Sequence, residues 1–334
     1  MKLAFVFPGQ GSQAVGMAQE LAGQFASARA VLDEVDAALD QKLSALMAEG
    51  PIETLTLTEN AQPALMASSL AVMAVLEREF DVNVNAADFV AGHSLGEYSA
   101  LAAAGALSIT DAAKLLRLRG LAMQKAVPVG EGTMAALLGA DEELAAAAVA
   151  AGADAGVCAI ANDNAPGQLV ISGSTAAIDA ASANAGELGL KKAMKLPVSA
   201  PFHCPMMQAA ADAMAEALAA ATINAPSVPV VANVTARPTS EVETIRNQLV
   251  EQVTGRVRWR ESVMWMAGAG VTAIWEVGAG KALSGMIRRI ARDIESTAIG
   301  TPEAVVAAAA AHSQGRDRVD LTAQCALISG PSGR

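Results

Sequence analysis

Histidine, cysteine and aromatic residues are all scarce in this 334-residue chain: three His, three Cys, one Tyr, three Trp and six Phe. Cys158, Cys204 and Cys325 are scattered. Their spacing fits neither a disulfide framework nor a metal-ligand cluster, which excludes a stapled secreted scaffold and leads us to expect a reducing cytoplasm. Positive charge is also short. There are 23 Lys and Arg against 34 Asp and Glu, for a formal net charge of −11. Binding to phosphate backbones needs a concentrated positive field, so no nucleic-acid partner is expected. No apolar run reaches the ~18 residues that a spanning helix needs, so no membrane partner is expected either. The run Leu3–Phe7 stops at Pro8-Gly9, short of the ~7–15 residues of a secretory leader, and none is expected.

What is present describes a folded protein. Apolar residues make up 53% and charged residues 17%, too apolar and too weakly charged for disorder. The length suits one large domain or two modest ones. Leu3–Phe7 reads as a buried strand closed by the loop Pro8-Gly9-Gln10-Gly11-Ser12, with a helical pattern after it. Phe89–Gly92 reads as a strand, Leu95–Ala104 as a helix, and Asp111–Ala126 as a longer helix. Ala273–Val277 reads as a strand that turns at Gly278-Ala279-Gly280 into a helix over Lys281–Ile294. Strands alternating with helices imply an α/β fold with a mainly parallel sheet. The middle has another rhythm. Strand Met134–Leu138, helix Asp141–Ala151, strand Val157–Ala161, a turn at 163–167, strand Gln168–Ser172, helix Ala176–Leu188 and strand Lys192–Val198 give βαββαβ. That order is ferredoxin-like. We therefore expect a large α/β-hydrolase-like domain from 1–128 and 199–302, and an inserted ferredoxin-like subdomain over 129–198. A C-terminal extension, poorly ordered, is expected over 303–334. A cleft between the two units is the natural place for a site.

Gly92-His93-Ser94-Leu95-Gly96 is a G-x-S-x-G motif set between a strand and a helix. This is the context in which a sharp turn lifts a serine hydroxyl above a sheet as a nucleophile. The helix start beneath it favours developing negative charge. Such a serine needs a base. His93 adjoins Ser94 on a tight turn, where neighbouring side chains diverge, and His312 lies in the unpatterned tail. His203, in Ala200-Pro201-Phe202-His203-Cys204, remains. No acidic third member announces itself, and a main-chain carbonyl is able to orient the imidazole instead. Backbone N–H groups of the Pro8–Ser12 loop, with that of Leu95, are candidates for an oxyanion hole. Arg117 and Arg119 lie on the long apolar helix. They point about 200° apart at ~100° per residue, so one is buried and needs a carboxylate partner, and spacing does not choose between them. Gly278-Ala279-Gly280 lacks the third glycine of a dinucleotide loop, since Leu283 stands there. It reads as a tight turn.

Taken together these segments resemble the malonyl-CoA:acyl carrier protein transacylase family of bacterial fatty-acid synthesis. The resemblance covers about residues 3–302. It rests on Phe7-Pro8-Gly9-Gln10-Gly11-Ser12-Gln13, Gly92-His93-Ser94-Leu95-Gly96-Glu97-Tyr98-Ser99-Ala100, Arg119-Gly120 followed by Met123-Gln124, Pro201-Phe202-His203 and Glu276-Val277-Gly278. It implies Ser94 as nucleophile, His203 as base and Arg119 as the partner of the malonyl carboxylate. It also implies an oxyanion hole from the backbone N–H groups of Gln10 and Leu95. The base is expected to be steadied by a main-chain carbonyl within Arg256-Val257-Arg258-Trp259. Asn162 and Asn164 match a cleft-lining Asn-x-Asn stretch. Leu95 and Phe202 resemble the residues of malonyl-using relatives.

The implied reaction is ping-pong transfer from malonyl-CoA to the phosphopantetheine thiol of acyl carrier protein. Coenzyme A and phosphopantetheine enter as parts of the substrates, and no metal or other cofactor is expected. Carrier proteins of this pathway are acidic, so a local basic patch is expected to dock them. The candidates are Arg288, Arg289 and Arg292 on one helix, and Lys191, Lys192 and Lys195 on the small subdomain. A monomer is expected. The competing readings are a serine thioesterase or esterase using Ser94 and His203, and a non-catalytic scaffold of the same fold.

Overall fold

The run Leu3–Phe7 is apolar at every position because both of its faces are covered: each of the five residues is at most 2% exposed. In this computed structural model, which describes residues 2–183 and 185–314, that run lies in the first of ten strands. They are β1 (Lys2–Phe7), β2 (Phe89–Gly92), β3 (Gly132–Leu138), β4 (Cys158–Ala165), β5 (Gln168–Ser174), β6 (Lys192–Lys195), β7 (Val230–Val231), β8 (Pro238–Thr239), β9 (Val271–Val277) and β10 (Glu295–Ile299). A six-stranded sheet runs β10-β9-β1-β2-β7-β8. Its pairs are parallel except for β7 with β8. The helix Thr58–Phe80 is buried over most of its length, and Ile109–Ala126 packs beside it. Among the described residues no helix is long and apolar enough to cross a membrane.

The second sheet is wholly antiparallel, in the order β4-β5-β3-β6. Helices Glu142–Gly152 and Thr175–Ala183 complete a βαββαβ sequence of elements. Ala135, Leu137, Leu169, Ile171 and Ile178 form its own small core. The small sheet is tied at β4 to the segment around Val257. Val257 N–H donates to Ala161 O at 2.8 Å and Asp163 N–H to Val257 O at 2.9 Å. Asp163 is fully buried and accepts from Arg256 at 3.2 Å and from Arg260 at 2.7–2.9 Å.

Several expectations change, the helix foreseen over Ala176–Leu188 ending at Ala183 and the strand foreseen over Lys192–Val198 ending at Lys195. The turn foreseen at 163–167 narrows to Pro166-Gly167, because Asp163–Ala165 continue β4 under the clamp just described. The helix foreseen over Lys281–Ile294 ends at Ile290, and β10 follows it. The extension does not begin unpacked at 303. Residues 302–314 are helical and bury Val305, Ala308 and Ala309 against the main core. His312, on that helix, sets its ring 5.9 Å from Trp275. The rest of the foreseen extension, 315–334, lies outside the described residues.

Candidate active site

Three loops meet at the carboxyl ends of β1, β2 and β9, the usual position of a ligand site in an open parallel sheet. The turn after β2 needs both of its glycines. A Cβ on Gly92 would sit 1.9 Å from Gly96 C, and one on Gly96 would sit 2.3 Å from Phe7 O. Ser94 between them has φ +53°, a left-handed conformation that costs a non-glycine residue on the order of 1–3 kcal/mol. Hydrogen bonds over-determine it. Ser94 N–H donates to Asn233 Oδ1 at 2.8 Å, and Asn233 Nδ2 donates to Gly92 O at 2.6 Å. Gln252 Nε2 donates to Ser94 O at 3.0 Å. The helix Gly96–Ala103 then starts directly beneath the hydroxyl.

Ser94 Oγ lies 2.8 Å from His203 Nε2. His203 is buried, and it too has a left-handed backbone, φ +58°. Its Nδ1 lies 2.9 Å from Gln252 O. A carbonyl only accepts, so Nδ1 carries the proton and Nε2 presents a lone pair to the serine hydroxyl. The main-chain carbonyl foreseen within Arg256–Trp259 is therefore corrected to that of Gln252. It lies in the last turn of the helix Val242–Thr254, where carbonyls have no intrahelical partner and carry the negative end of the helix dipole. Val257 is instead engaged with β4. Burial, and next the charge of Arg119, push the His203 pKa down to about 3.

Of the two arginines, Arg119 enters this site and Arg117 does not. Arg117 donates to Asn60 Oδ1 at 2.8 Å and to Gln41 Oε1, away from the serine. Arg119 is 1% exposed. Its Nη1 donates to Gln62 Oε1 at 2.8 Å, and its Nη2 donates to Gln252 Oε1 at 2.8 Å and to Ser94 Oγ at 3.2 Å. The guanidinium also stands over the Tyr98 ring, 5.9 Å from its centroid. Its direct partners are neutral oxygens, and among the described residues its buried Nε has no hydrogen-bond partner. A buried cation held this way is prepared for an incoming anion.

These groups face a cleft of about 320 Å³ between the two sheets. Gln10, Asn162, Asn164 and Phe202 line it. Gln10 is held by Thr58 Oγ1, which donates to its Oε1 at 3.1 Å. Gly9 leaves room for His93: a Cβ there would lie 2.7 Å from His93 O. The His93 ring pairs with Asn164 Oδ1 at 2.8 Å and packs against Trp259. Leu95 is buried, and the N–H groups on either side of it are committed, Ser94 to Asn233 and Gly96 to His93 O. Met286, on the helix Ala282–Ile290, also lines the cleft. Farther along, Arg288, Arg289 and Arg292 are exposed, as are Lys191, Lys192 and Lys195 on the small sheet. Arg289 reaches across to Gln168 Oε1 at 2.7 Å and Pro166 O at 2.6 Å, and Lys195 pairs with Asp179 at 2.5 Å.

Sequence reasoning missed Gln62, Asn233, the Gln252 side chain and Glu97. Glu97 is 3% exposed and accepts at one oxygen, Oε2, from Gln252 Nε2 at 2.7 Å and Asn233 N–H at 3.1 Å. The one available signal was its place three residues after Ser94, where an acidic side chain in the first helical turn reads as ordinary helix-end charge.

A family model described as "Acyl transferase domain" matches residues 4–299. The malonyl CoA-acyl carrier protein transacylase of Bacillus subtilis (strain 168) is 46% identical over 305 residues, 91% of this chain and 95% of that protein. The crystal structure of acyl-carrier-protein-S-malonyltransferase from Bartonella henselae is 53% identical, with a TM-score of 0.92, covering 94% of this chain and 100% of that one. A type II PKS acyl-carrier protein in complex with its malonyl-transacylase provides another similar fold, with a TM-score of 0.88 and 38% identity over 92% of this chain and 98% of that one.

Proposed function

The chain belongs to the acyl transferase family, and on that premise we propose how it moves a malonyl group from malonyl-CoA to the phosphopantetheine thiol of acyl carrier protein in fatty-acid synthesis. The observation that carries the reading is the position of Arg119. A cation excluded from water stands 3.2 Å from a serine hydroxyl that is itself 2.8 Å from a neutral imidazole. A plain esterase has no use for that charge. An acyl group ending in a carboxylate does, because its burial without a partner is costly and a guanidinium can hold it through two N–H groups.

The transfer is ping-pong. His203 Nε2 takes the Ser94 proton as Oγ bonds to the thioester carbon, and the carbonyl oxygen becomes an oxyanion. The backbone N–H groups of Gln10 and Leu95 receive that charge. The C–S bond then breaks, the proton passes from His203 to the departing sulfur, and coenzyme A leaves. The carrier-protein thiol next attacks the malonyl-Ser94 ester. Its proton goes to His203 and on to Ser94 Oγ. No metal or bound cofactor takes part. Asn162, Asn164 and Phe202 line the route of the pantetheine arm, and the acidic carrier protein docks on Arg288, Arg289 and Arg292 or on Lys191, Lys192 and Lys195. The enzyme acts as a cytoplasmic monomer. We regard the large unit, 1–128 with 199–302, as α/β-hydrolase-like, and 129–198 as a ferredoxin-like insert on the strength of its strand order. Product analysis with holo carrier protein tests this reading. Malonyl carrier protein is expected as the main product, and free malonate as the main product would make the chain a thioesterase.

A further inference from the structure

Five polar contacts hold the nucleophile and its turn, the base and the arginine in one arrangement, and they converge on two residues. Asn233 holds Ser94 N–H and Gly92 O. Gln252 holds Ser94 O and Arg119 Nη2 through its amide, and His203 Nδ1 through its backbone carbonyl. Both residues donate in turn to a single oxygen, Glu97 Oε2, at 3.1 and 2.7 Å. We propose that Glu97 is a positioning residue of this reaction, fixing Asn233 and Gln252 and, through them, the geometry of Ser94, Arg119 and His203.

The orientation of the Gln252 amide is the central point. Its oxygen must face Arg119 and its nitrogen must face away, since a flipped amide would set N–H against a guanidinium. Glu97 enforces this, because a carboxyl oxygen without a proton accepts the amide N–H and cannot accept an amide oxygen. The chain Arg119 N–H to Gln252 oxygen, then Gln252 N–H to Glu97, also makes Glu97 an indirect counter-charge for the buried guanidinium. Burial pushes the Glu97 pKa up to about 7, with the hydrogen bonds from Gln252 and Asn233 and the charge of Arg119 opposing that rise. Protonation at Oε1 leaves Oε2 able to accept both bonds, so the support persists on either side of neutrality. The groups facing Glu97 are Arg119, Gln252 and Asn233 from neighbouring segments and Tyr98 from its own helix. Its carboxyl group bonds Gln252 and Asn233 rather than a residue lining the cleft, so the effect of that carboxyl on substrate passes through those two.

The inference rests on the transferase reading above, and its test separates the two. For the full chain, kcat/KM of enzyme acylation is measured with malonyl-CoA and acetyl-CoA in wild type, Glu97→Ala and Glu97→Gln. Loss of hydrogen bonds to a charged group predicts about a 10- to 100-fold fall for malonyl-CoA in Glu97→Ala. The malonyl-to-acetyl ratio is expected to fall at least about fivefold, because Arg119 serves only the carboxylated acyl group. Glu97→Gln offers an amide oxygen in the same place to the same two donors, and it restores the ratio to within about threefold of wild type. A purely structural role would lower both substrates together and leave the ratio unchanged. Where the alanine variant does not fold, Glu97→Asp replaces it; it keeps the charge, withdraws the oxygens by one methylene, and is expected to lower the ratio likewise. An unchanged ratio in these variants, or a Gln variant as impaired as the Ala variant, overturns the proposal while leaving malonyl transfer intact. A wild-type enzyme that forms no malonyl adduct overturns both.

Discussion

Replacing Arg119 with alanine isolates the recognition of the acyl carboxylate. Among the described residues the resting guanidinium makes three hydrogen bonds, to Gln62, Gln252 and Ser94, and none to a carboxylate. On the proposed reading the malonyl carboxylate supplies a direct anionic partner, in a place that is 1% exposed. Removing one partner of a buried charge pair costs about 2–5 kcal/mol, or roughly 30- to 5,000-fold at 1.36 kcal/mol per decade. We expect that loss in kcat/KM for malonyl-CoA. Acetyl-CoA carries no carboxylate and should lose far less. The variant also leaves two buried amide oxygens without a donor, a stability cost of about 1–3 kcal/mol each at most, so acetyl transfer doubles as the control for folding. Arg119→Lys should recover little, because an ammonium does not reproduce the planar fork. Arg117→Ala should show no malonyl-specific loss, since Arg117 bonds Asn60 and Gln41 instead. The assay is acylation kinetics with both thioesters in all three variants. Equal losses for malonyl and acetyl in Arg119→Ala, or a malonyl-specific loss in Arg117→Ala, would refute the placement of the specificity arginine.

The remaining predictions concern the base, the C-terminal helix and the carrier protein. His203→Ala should slow acylation about 10²- to 10⁴-fold. Because burial and then Arg119 hold His203 near 3, kcat/KM for acetyl-CoA should not show the loss on acidification near 6.5 that an ordinary histidine base would give. With malonyl-CoA bound, the carboxylate offsets the Arg119 charge, so the acid limb of kcat should move to higher pH than that of kcat/KM; coincident limbs contradict this. Ending the chain at residue 301 removes buried Val305 with Ala308 and Ala309, and denaturant titration should show a loss of at least about 1.5–3 kcal/mol for the valine alone. Arg288→Glu or Lys191→Glu should raise KM for carrier protein, more so at low salt, and unchanged KM in both would move docking elsewhere.

The parts of this molecule legible in its sequence are those with local patterns. β2 and the helix after Ser94 follow from Phe89–Gly92 and the glycines around the turn, whose close contacts leave no room for a side chain. The βαββαβ order was readable from short apolar runs and turn residues. β10 was not, because Glu295-Ser296-Thr297-Ala298-Ile299 is an edge strand with one neighbour and no apolar run. His203 could be reached by elimination only because histidine is so rare. Choosing between Arg117 and Arg119 needed the resemblance or the fold, since the helix separates them without saying which side is inward. Gln252 and Asn233 had no sequence signal, and that of Glu97 reads as ordinary helix-end charge. Gln252 acts partly through a backbone carbonyl, which every residue has, and its side chain meets Ser94 O across 158 positions. Asp-Asn-Ala-Pro-Gly has turn chemistry, but the ladder to β5, the bond to Val257 O and two arginines nearly a hundred residues away hold Asp163 in a strand.

Intact mass of the whole protein after brief mixing with malonyl-CoA tests the covalent step at Ser94 most directly. Wild type should carry one malonyl group, located on the peptide containing Ser94 and discharged by holo carrier protein, while a folded Ser94→Ala variant should carry none. A malonyl adduct of normal yield on Ser94→Ala would contradict the account.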